Sequence, residues 1–116
     1  MKKVLFVITG GTSDESRALE GVGMATAMHL SGMVEGAELL LTGAGVQCLR
    51  LDGAAEALRD AVDAAIEAGL PVGACTKALN THGLLDEPEA LEGIRPLGSP
   101  TRVATALLEG WSVLTF

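Results

Sequence analysis

The residue best placed for chemistry is Cys75, which ends a short apolar segment and precedes a polar one. Residues 71–75 are typical of a buried strand in a parallel sheet, and residues 76–81 predict a short helix after it. A side chain at the carboxyl end of such a strand lies in the crevice where open α/β sheets bind ligands. The amides that open the following helix, together with Lys77, would favour the thiolate, which is the reactive form of cysteine.

His82 is the second residue that bears on this thiol, because it follows the predicted helix closely enough to approach Cys75. An imidazole in that position is a candidate proton carrier. The competing interpretation of Cys75 is packing, since free cysteine is among the residue types most often buried in a core. Spacing alone leaves both interpretations open.

A glycine turn, Gly10-Gly11-Thr12, separates the first predicted strand from the first predicted helix. Its amides could hold a small anion, although a tight turn and a helix cap explain the same residues more simply. In many sheet orders this turn lies beside the third strand. We therefore expect Gly10, Gly11, Thr12 and Thr76 to line a pocket together with Cys75.

The other cysteine, Cys48, follows a glycine-rich turn and is interpreted as a packing residue, with a resolving thiol as the less favoured alternative. The two cysteines form no CxxC motif, and the two histidines add no recognisable ligand spacing, so no metal site is expected. A disulfide between two such distant cysteines would be unusual in a cytosolic protein.

The composition predicts a single domain over residues 1–116, because 116 residues with 48% hydrophobic side chains are too few for two cores. Fifteen acidic and eight basic side chains give a net charge of −7, which disfavours direct binding to nucleic acid. No apolar run approaches the length of a membrane span. The apolar residues 4–8 are also too few for a signal peptide, so a cytoplasmic protein is expected.

Hydrophobic periodicity and the positions of glycine and proline predict five strands that alternate with helices. The predicted strands are residues 3–9, 37–42, 71–75, 94–95 and 111–116, and the predicted helices are residues 14–30, 54–68, 76–81 and 100–109. The fourth strand is expected to be brief, limited by Pro96 and Gly98. This alternation implies a parallel sheet that helices cover on both faces through right-handed crossovers.

The sequence also predicts how the first and last helices begin and how the first helix packs. A capping box is expected at the start of the first helix, beginning at Thr12. Ser99 is the expected N-cap of the last helix, with Pro100 at its first position. Gly21 and Gly23 are both expected to allow close packing of the first helix on the sheet.

With this order of elements, the chain resembles the DsrE/DsrF-like family of small sulfur-relay proteins, which includes subunits of the Dsr and Tus sulfur-transfer complexes. The resemblance is strongest at residues 69–75, and it extends from the lysine-led first strand to the closing residues 113–116. It implies a three-layer α/β/α sandwich with a five-stranded, mostly parallel sheet of the flavodoxin-like kind. It also implies a homo-trimer or hexamer, and a cysteine at the position of Cys75 that carries sulfane sulfur as a persulfide.

The function expected from the residues and the resemblance is that of a sulfur carrier, which accepts sulfane sulfur on Cys75 from a donor protein and passes it to an acceptor protein. Lys77 and the helix amides would stabilise the sulfur anion, and His82 would act as a proton carrier. No cofactor is required. The alternative is a non-catalytic oligomeric module for a small anion or nucleotide, or a structural subunit of a DsrE-type complex, with Cys75 inert.

Overall fold

The computed structural model describes residues 2–116, which form one five-stranded sheet and four α-helices. The strands are β1 (Lys3–Ile8), β2 (Gly36–Leu41), β3 (Val72–Cys75), β4 (Arg95–Leu97) and β5 (Ser112–Thr115), and the helices are α1 (Glu15–Ser31), α2 (Glu56–Glu67), α3 (Thr76–Thr81) and α4 (Ser99–Leu108). Two 3-10 segments, Thr12–Asp14 and Gly43–Leu49, follow β1 and β2. The predicted α/β class with five strands is confirmed.

All strand pairings in this sheet are parallel, and the strands lie in the order β4-β3-β2-β1-β5. Flavodoxin-like sheets have the order 2-1-3-4-5, so the likeness to them lies in the layers rather than in the strand order. In the register of β3 with its neighbours, Leu41 is opposite Ala74, and Leu97 is opposite Cys75. Cys75 therefore ends a strand that has a neighbour on each side.

The direction in which the chain crosses the sheet decides which face each helix covers. The first four strands are neighbours in sequence order, so right-handed crossovers place the first three helices on one face. Buried residues of those helices, including Val22, Leu58 and Leu79, form the larger core cluster. The connection from β4 to β5 returns across the sheet, and α4 packs on the opposite face through Ala106.

The helices that follow β3 and β4 therefore leave the sheet on opposite faces. Adjacent strands whose helices diverge in this way leave a crevice at their carboxyl ends, which is the usual ligand position in open α/β sheets.

None of the helices in residues 2–116 has the length and apolar character of a membrane span.

Three local predictions are wrong in detail. The hydroxyl and amide of Thr12 donate to Oε1 of Gln47, so Thr12 does not begin a capping box. Gly98 is the N-cap of α4, and Ser99 is the first helical residue, which frees its hydroxyl for another partner. Pro96 lies inside β4 rather than limiting it, and an edge strand tolerates the missing amide.

The two glycines of α1 differ in their surroundings. A Cβ at Gly21 would lie 2.6 Å from Cδ1 of Ile8 and 2.7 Å from the ring of Phe116, so this glycine allows α1 to approach the sheet. A Cβ at Gly23 would have nothing within 4 Å. The expectation of close packing is confirmed for Gly21 and wrong for Gly23, which faces away from the sheet.

We expect Gly21→Ala to destabilise the protein by about 1–3 kcal/mol, because the added methyl group overpacks a filled contact. Gly23→Ala should stabilise it by about 0.5–1 kcal/mol, since alanine is the better helix former and the site has room. Urea unfolding of both variants measures the two free energies. Equal effects of the two substitutions would contradict the packing described for Gly21.

Candidate functional site

A cleft of about 890 Å³ lies at the carboxyl ends of the strands, and Cys75 forms part of its wall. Thr42 follows β2 on one side of Cys75, and Gly98 and Ser99 follow β4 on the other. The third part of the wall comes from α3 and the residues after it. Cys75 is only 8% exposed, so its sulfur is packed by these neighbours while still reaching the cleft.

Two helices begin at this thiol. Cys75 is the N-cap residue of α3, and Ser99 is the first residue of α4. The amides of Ala78 and Ser99 act on the sulfur from these two helix starts. The side chain of Cys75 makes no cap hydrogen bond to α3. Helix N-termini carry partial positive charge, and the sulfur lies between two of them.

Two hydroxyl groups complete the surroundings of the sulfur. Oγ1 of Thr42 and Oγ of Ser99 are 3.1 Å apart and share a hydrogen bond in which either can be the donor. Both hydroxyls also act on the Cys75 thiol. Hydroxyl groups from the ends of both flanking strands therefore line the cleft together with the thiol.

These donors decide the ionisation of Cys75. Desolvation by burial is the largest single influence, and alone it would raise the pKa of the thiol. The Ser99 hydroxyl, the Ala78 amide, the Thr42 hydroxyl and the Ser99 amide act in the opposite direction, in that order of size. Together they lower the pKa of Cys75 from its ordinary value of 9.0 to about 7. The nucleophilic thiolate is thus a major form of Cys75 near neutral pH.

The residues predicted from α3 lie in the same cleft. Thr76, Lys77 and His82 all line it and are exposed. The hydroxyl of Thr76 donates to the carbonyl of Leu97 at 3.3 Å, which ties the start of α3 to β4. Lys77 is not among the groups that lower the pKa of Cys75, which are hydroxyls and amides, and its predicted stabilisation of the sulfur anion stays a prediction.

The predicted placement of the glycine turn is wrong, because Gly10, Gly11 and Thr12 do not line this cleft. The turn follows β1, which lies between β2 and β5 rather than beside β3. A Cβ at Gly11 would lie 2.1 Å from Oε1 of Gln47, and that same oxygen accepts the Thr12 amide at 2.9 Å. The turn is therefore filled by the Gln47 side chain, and its Thr12 amide already has a partner.

Cys48 lies in a different environment from Cys75. Its side chain is fully buried, and burial raises the pKa of its thiol to about 11. Both cysteines are free thiols. A buried, protonated thiol packs as a small apolar group, which supports the packing interpretation of Cys48 over the resolving thiol.

The sequence predictions missed Thr42 and Ser99. Within its own segment, Thr42 reads as the end of a strand and Ser99 as a helix cap. Their shared position depends on β2 and β4 both flanking β3, which is a property of the strand order. A hydroxyl residue just after each of several parallel strands is the signal that could have indicated a common site, because such strand ends meet at one edge of the sheet.

The fold and the cleft define a class of small parallel α/β domain with a cysteine of lowered pKa at the carboxyl end of an inner strand. The sequence matches the DsrE/DsrF-like family over residues 2–116, and the chain belongs to this family. No curated protein matches the sequence significantly.

Solved structures share the fold at low sequence identity. The ychN protein from E. coli superposes with a TM-score of 0.83 at 18% identity, covering 100% of both chains. A conserved protein of unknown function from Bacteroides thetaiotaomicron has a TM-score of 0.77 at 16% identity, covering 99% of this chain and 95% of its own. A protein of unknown function from Methanobacterium thermoautotrophicum has a TM-score of 0.76 at 23% identity, covering 100% of both chains.

We expect iodoacetamide to modify Cys75 of the native protein at pH 7.5 and to leave Cys48 unmodified. The reason is that Cys75 is largely ionised and reaches the cleft, whereas Cys48 is protonated and fully buried. Peptide mass spectrometry after a brief reaction measures both sites, and the same reaction in denaturant should modify both. Preferential labelling of Cys48 in the native protein would contradict the assignment.

Proposed function

We propose that this protein is a sulfur carrier that holds sulfane sulfur as a persulfide on Cys75. The observation that carries the proposal is the position of Cys75, a thiol of lowered pKa, in the wall of an open cleft. Membership of the DsrE/DsrF-like family supports it, because the resemblance implies a persulfide cysteine at this position. The full burial of Cys48 supports Cys75 as the reactive site.

The proposed loading step is a nucleophilic displacement. The Cys75 thiolate attacks the outer sulfur of a donor persulfide, and a sulfur–sulfur bond forms at Cys75. The donor's own sulfur–sulfur bond breaks, and its electron pair leaves with the donor thiolate. The outer sulfur moves from one thiol to another without a net oxidant or reductant, so the reaction follows the rules of thiol–disulfide exchange.

Handing on the sulfur reverses these roles. An acceptor thiolate attacks the outer sulfur of the Cys75 persulfide, and the electron pair of the breaking bond returns to the Cys75 sulfur. The exposed side chains of Lys77 and His82 lie in the cleft where both reactions take place. In this proposal Lys77 attracts the anionic persulfides and thiolates, and His82 carries a proton to or from the outgoing thiol.

The partners in this proposal are a donor protein and an acceptor protein that present their sulfur atoms at the cleft. The chain itself would work as a homo-oligomer, a trimer or a hexamer. Exposed apolar side chains at Leu107 and Leu108 of α4 and at Leu114 of the edge strand β5 support association, because water-exposed apolar surface favours burial. Light scattering that shows only a monomer would contradict this part of the proposal.

Incubation with glutathione persulfide should add the mass of one sulfur atom to Cys75, and a small thiol should remove it. Cys48→Ala should load normally, since that side chain is packing, and Cys75→Ser should not load. Peptide mass spectrometry of alkylation-capped samples locates the added sulfur. Addition only at Cys48, or no addition, would contradict the proposal and favour a binding module with an inert cysteine.

A further inference from the structure

The hydrogen bond between Thr42 and Ser99 joins two segments that follow non-adjacent strands. Thr42 follows β2 and Ser99 lies just beyond β4, and β3 runs between those two strands. Strands two places apart in a sheet are roughly 9–10 Å from each other. The two side-chain oxygens are nevertheless only 3.1 Å apart. Both side chains must therefore extend across the carboxyl end of β3, where Cys75 lies.

The register supports the same geometry. Leu41 is opposite Ala74, so Thr42, one residue further, lies level with Cys75. Leu97 is opposite Cys75 on the other side, and Ser99 follows two residues later at the start of α4. We call the two hydrogen-bonded hydroxyls of Thr42 and Ser99 the hydroxyl bridge.

The hydroxyl bridge has one hydrogen that its internal hydrogen bond does not use. Two hydroxyl groups bring two hydrogens, and the bond between the two oxygens uses one of them. The second hydrogen remains available for the sulfur, and a hydroxyl that accepts one hydrogen bond while donating another is a stronger donor. Either hydroxyl can be the donor within the pair, so either Thr42 or Ser99 can be the residue that donates its hydrogen to the sulfur.

We propose that the hydroxyl bridge is a positioning device that stabilises the Cys75 sulfur anion as a leaving group and thereby favours release of the carried sulfur over its retention. This inference rests on the proposed carrier function. In the release step, the sulfur–sulfur bond of the persulfide breaks and its electron pair is left on the Cys75 sulfur. The bridge donates its second hydrogen to that sulfur as the charge develops, so Thr42 and Ser99 act through Cys75.

Besides the hydroxyl bridge, the amides of Ala78 and Ser99 favour the charge on the sulfur. Among the lining residues of the cleft within the described part of the chain, Lys77 on α3 and His82 just after it are the ionisable groups besides Cys75. The lining residues that follow β2 and β4, including the first two residues of α4, are uncharged. Both hydroxyls favour the thiolate, with Ser99 having the larger effect.

The first test is the pH dependence of alkylation of Cys75 by iodoacetamide. Removal of the Ser99 hydroxyl in Ser99→Ala should raise the midpoint of this pH dependence by about one pH unit, because a hydrogen bond to a charged group typically shifts a pKa by about that much. Thr42→Val should raise it by less. Ser99→Thr should keep the midpoint of the unaltered protein, and Thr101→Ala, which removes an exposed hydroxyl from the same turn of α4, should not move it.

The second test compares loading with release at a pH above both midpoints, where Cys75 is fully ionised in every variant. Glutathione persulfide loads the protein, and glutathione removes the sulfur. Ser99→Ala should load at least as fast, because a thiolate of higher pKa is the better nucleophile, but it should release about threefold more slowly. A merely structural defect would slow both steps or lower the helical circular dichroism.

The outcomes separate the two proposals. An unchanged alkylation midpoint in both Ser99→Ala and Thr42→Val would overturn the hydroxyl bridge, whether or not Cys75 carries sulfur. A shifted midpoint with release as fast as in the unaltered protein would overturn its role in the leaving group. If the unaltered protein does not load, the carrier function is wrong, and the release role falls with it.

Discussion

The site depends on the balance between burial and hydrogen bonding at one sulfur atom. Burial at the end of an inner strand disfavours a charged thiolate, because the sulfur loses contact with water. The hydroxyls of Thr42 and Ser99 and the amides of two helix starts replace that water with fixed donors. The donors prevail over burial at Cys75, whereas burial prevails at Cys48, so the pKa values of the two thiols shift in opposite directions.

The strand order is what assembles these donors. Because β3 lies between β2 and β4, the segments that follow both neighbours meet above its carboxyl end. The return of the chain from β4 to β5 places α4 on the face opposite to α3, so two helices begin at Cys75 from different sides. Neither helix alone provides the surroundings of the sulfur. The cleft is therefore a product of topology as much as of the local sequence around Cys75.

Much of this arrangement follows from patterns that are local in the sequence. The apolar run before Cys75 and the polar segment after it predicted β3 and α3 with the correct boundary between them, and alternation of strands with helices predicted the parallel sheet. Resemblance at residues 69–75 indicated the family that the whole-chain match then confirmed. These features depend on periodicity and on the conformations that glycine and proline allow, which neighbouring residues determine.

The errors arose where distant segments meet. Gly10 and Gly11 were expected beside Cys75 because the strand order was unknown, and the position of β1 places them elsewhere. Ser99 was expected to cap its own helix, but its hydroxyl bonds to Thr42, 57 positions away in sequence. Among the groups that lower the pKa of the thiol, the Ala78 amide belongs to the helix start predicted for this role, whereas the hydroxyls of Thr42 and Ser99 are close to Cys75 only in space. Local patterns therefore placed Cys75 in the cleft but did not indicate the hydroxyls beside it.

The most direct test of this account is an ultraviolet titration of the thiolate in Cys48→Ala, where Cys75 is the remaining thiol. The thiolate absorbs in the far ultraviolet and the thiol does not, so absorbance against pH reports the ionisation of Cys75 without any reagent. We predict a midpoint at about 7. A midpoint at the ordinary thiol value of 9.0 or above would show that burial prevails at Cys75 and would contradict the account.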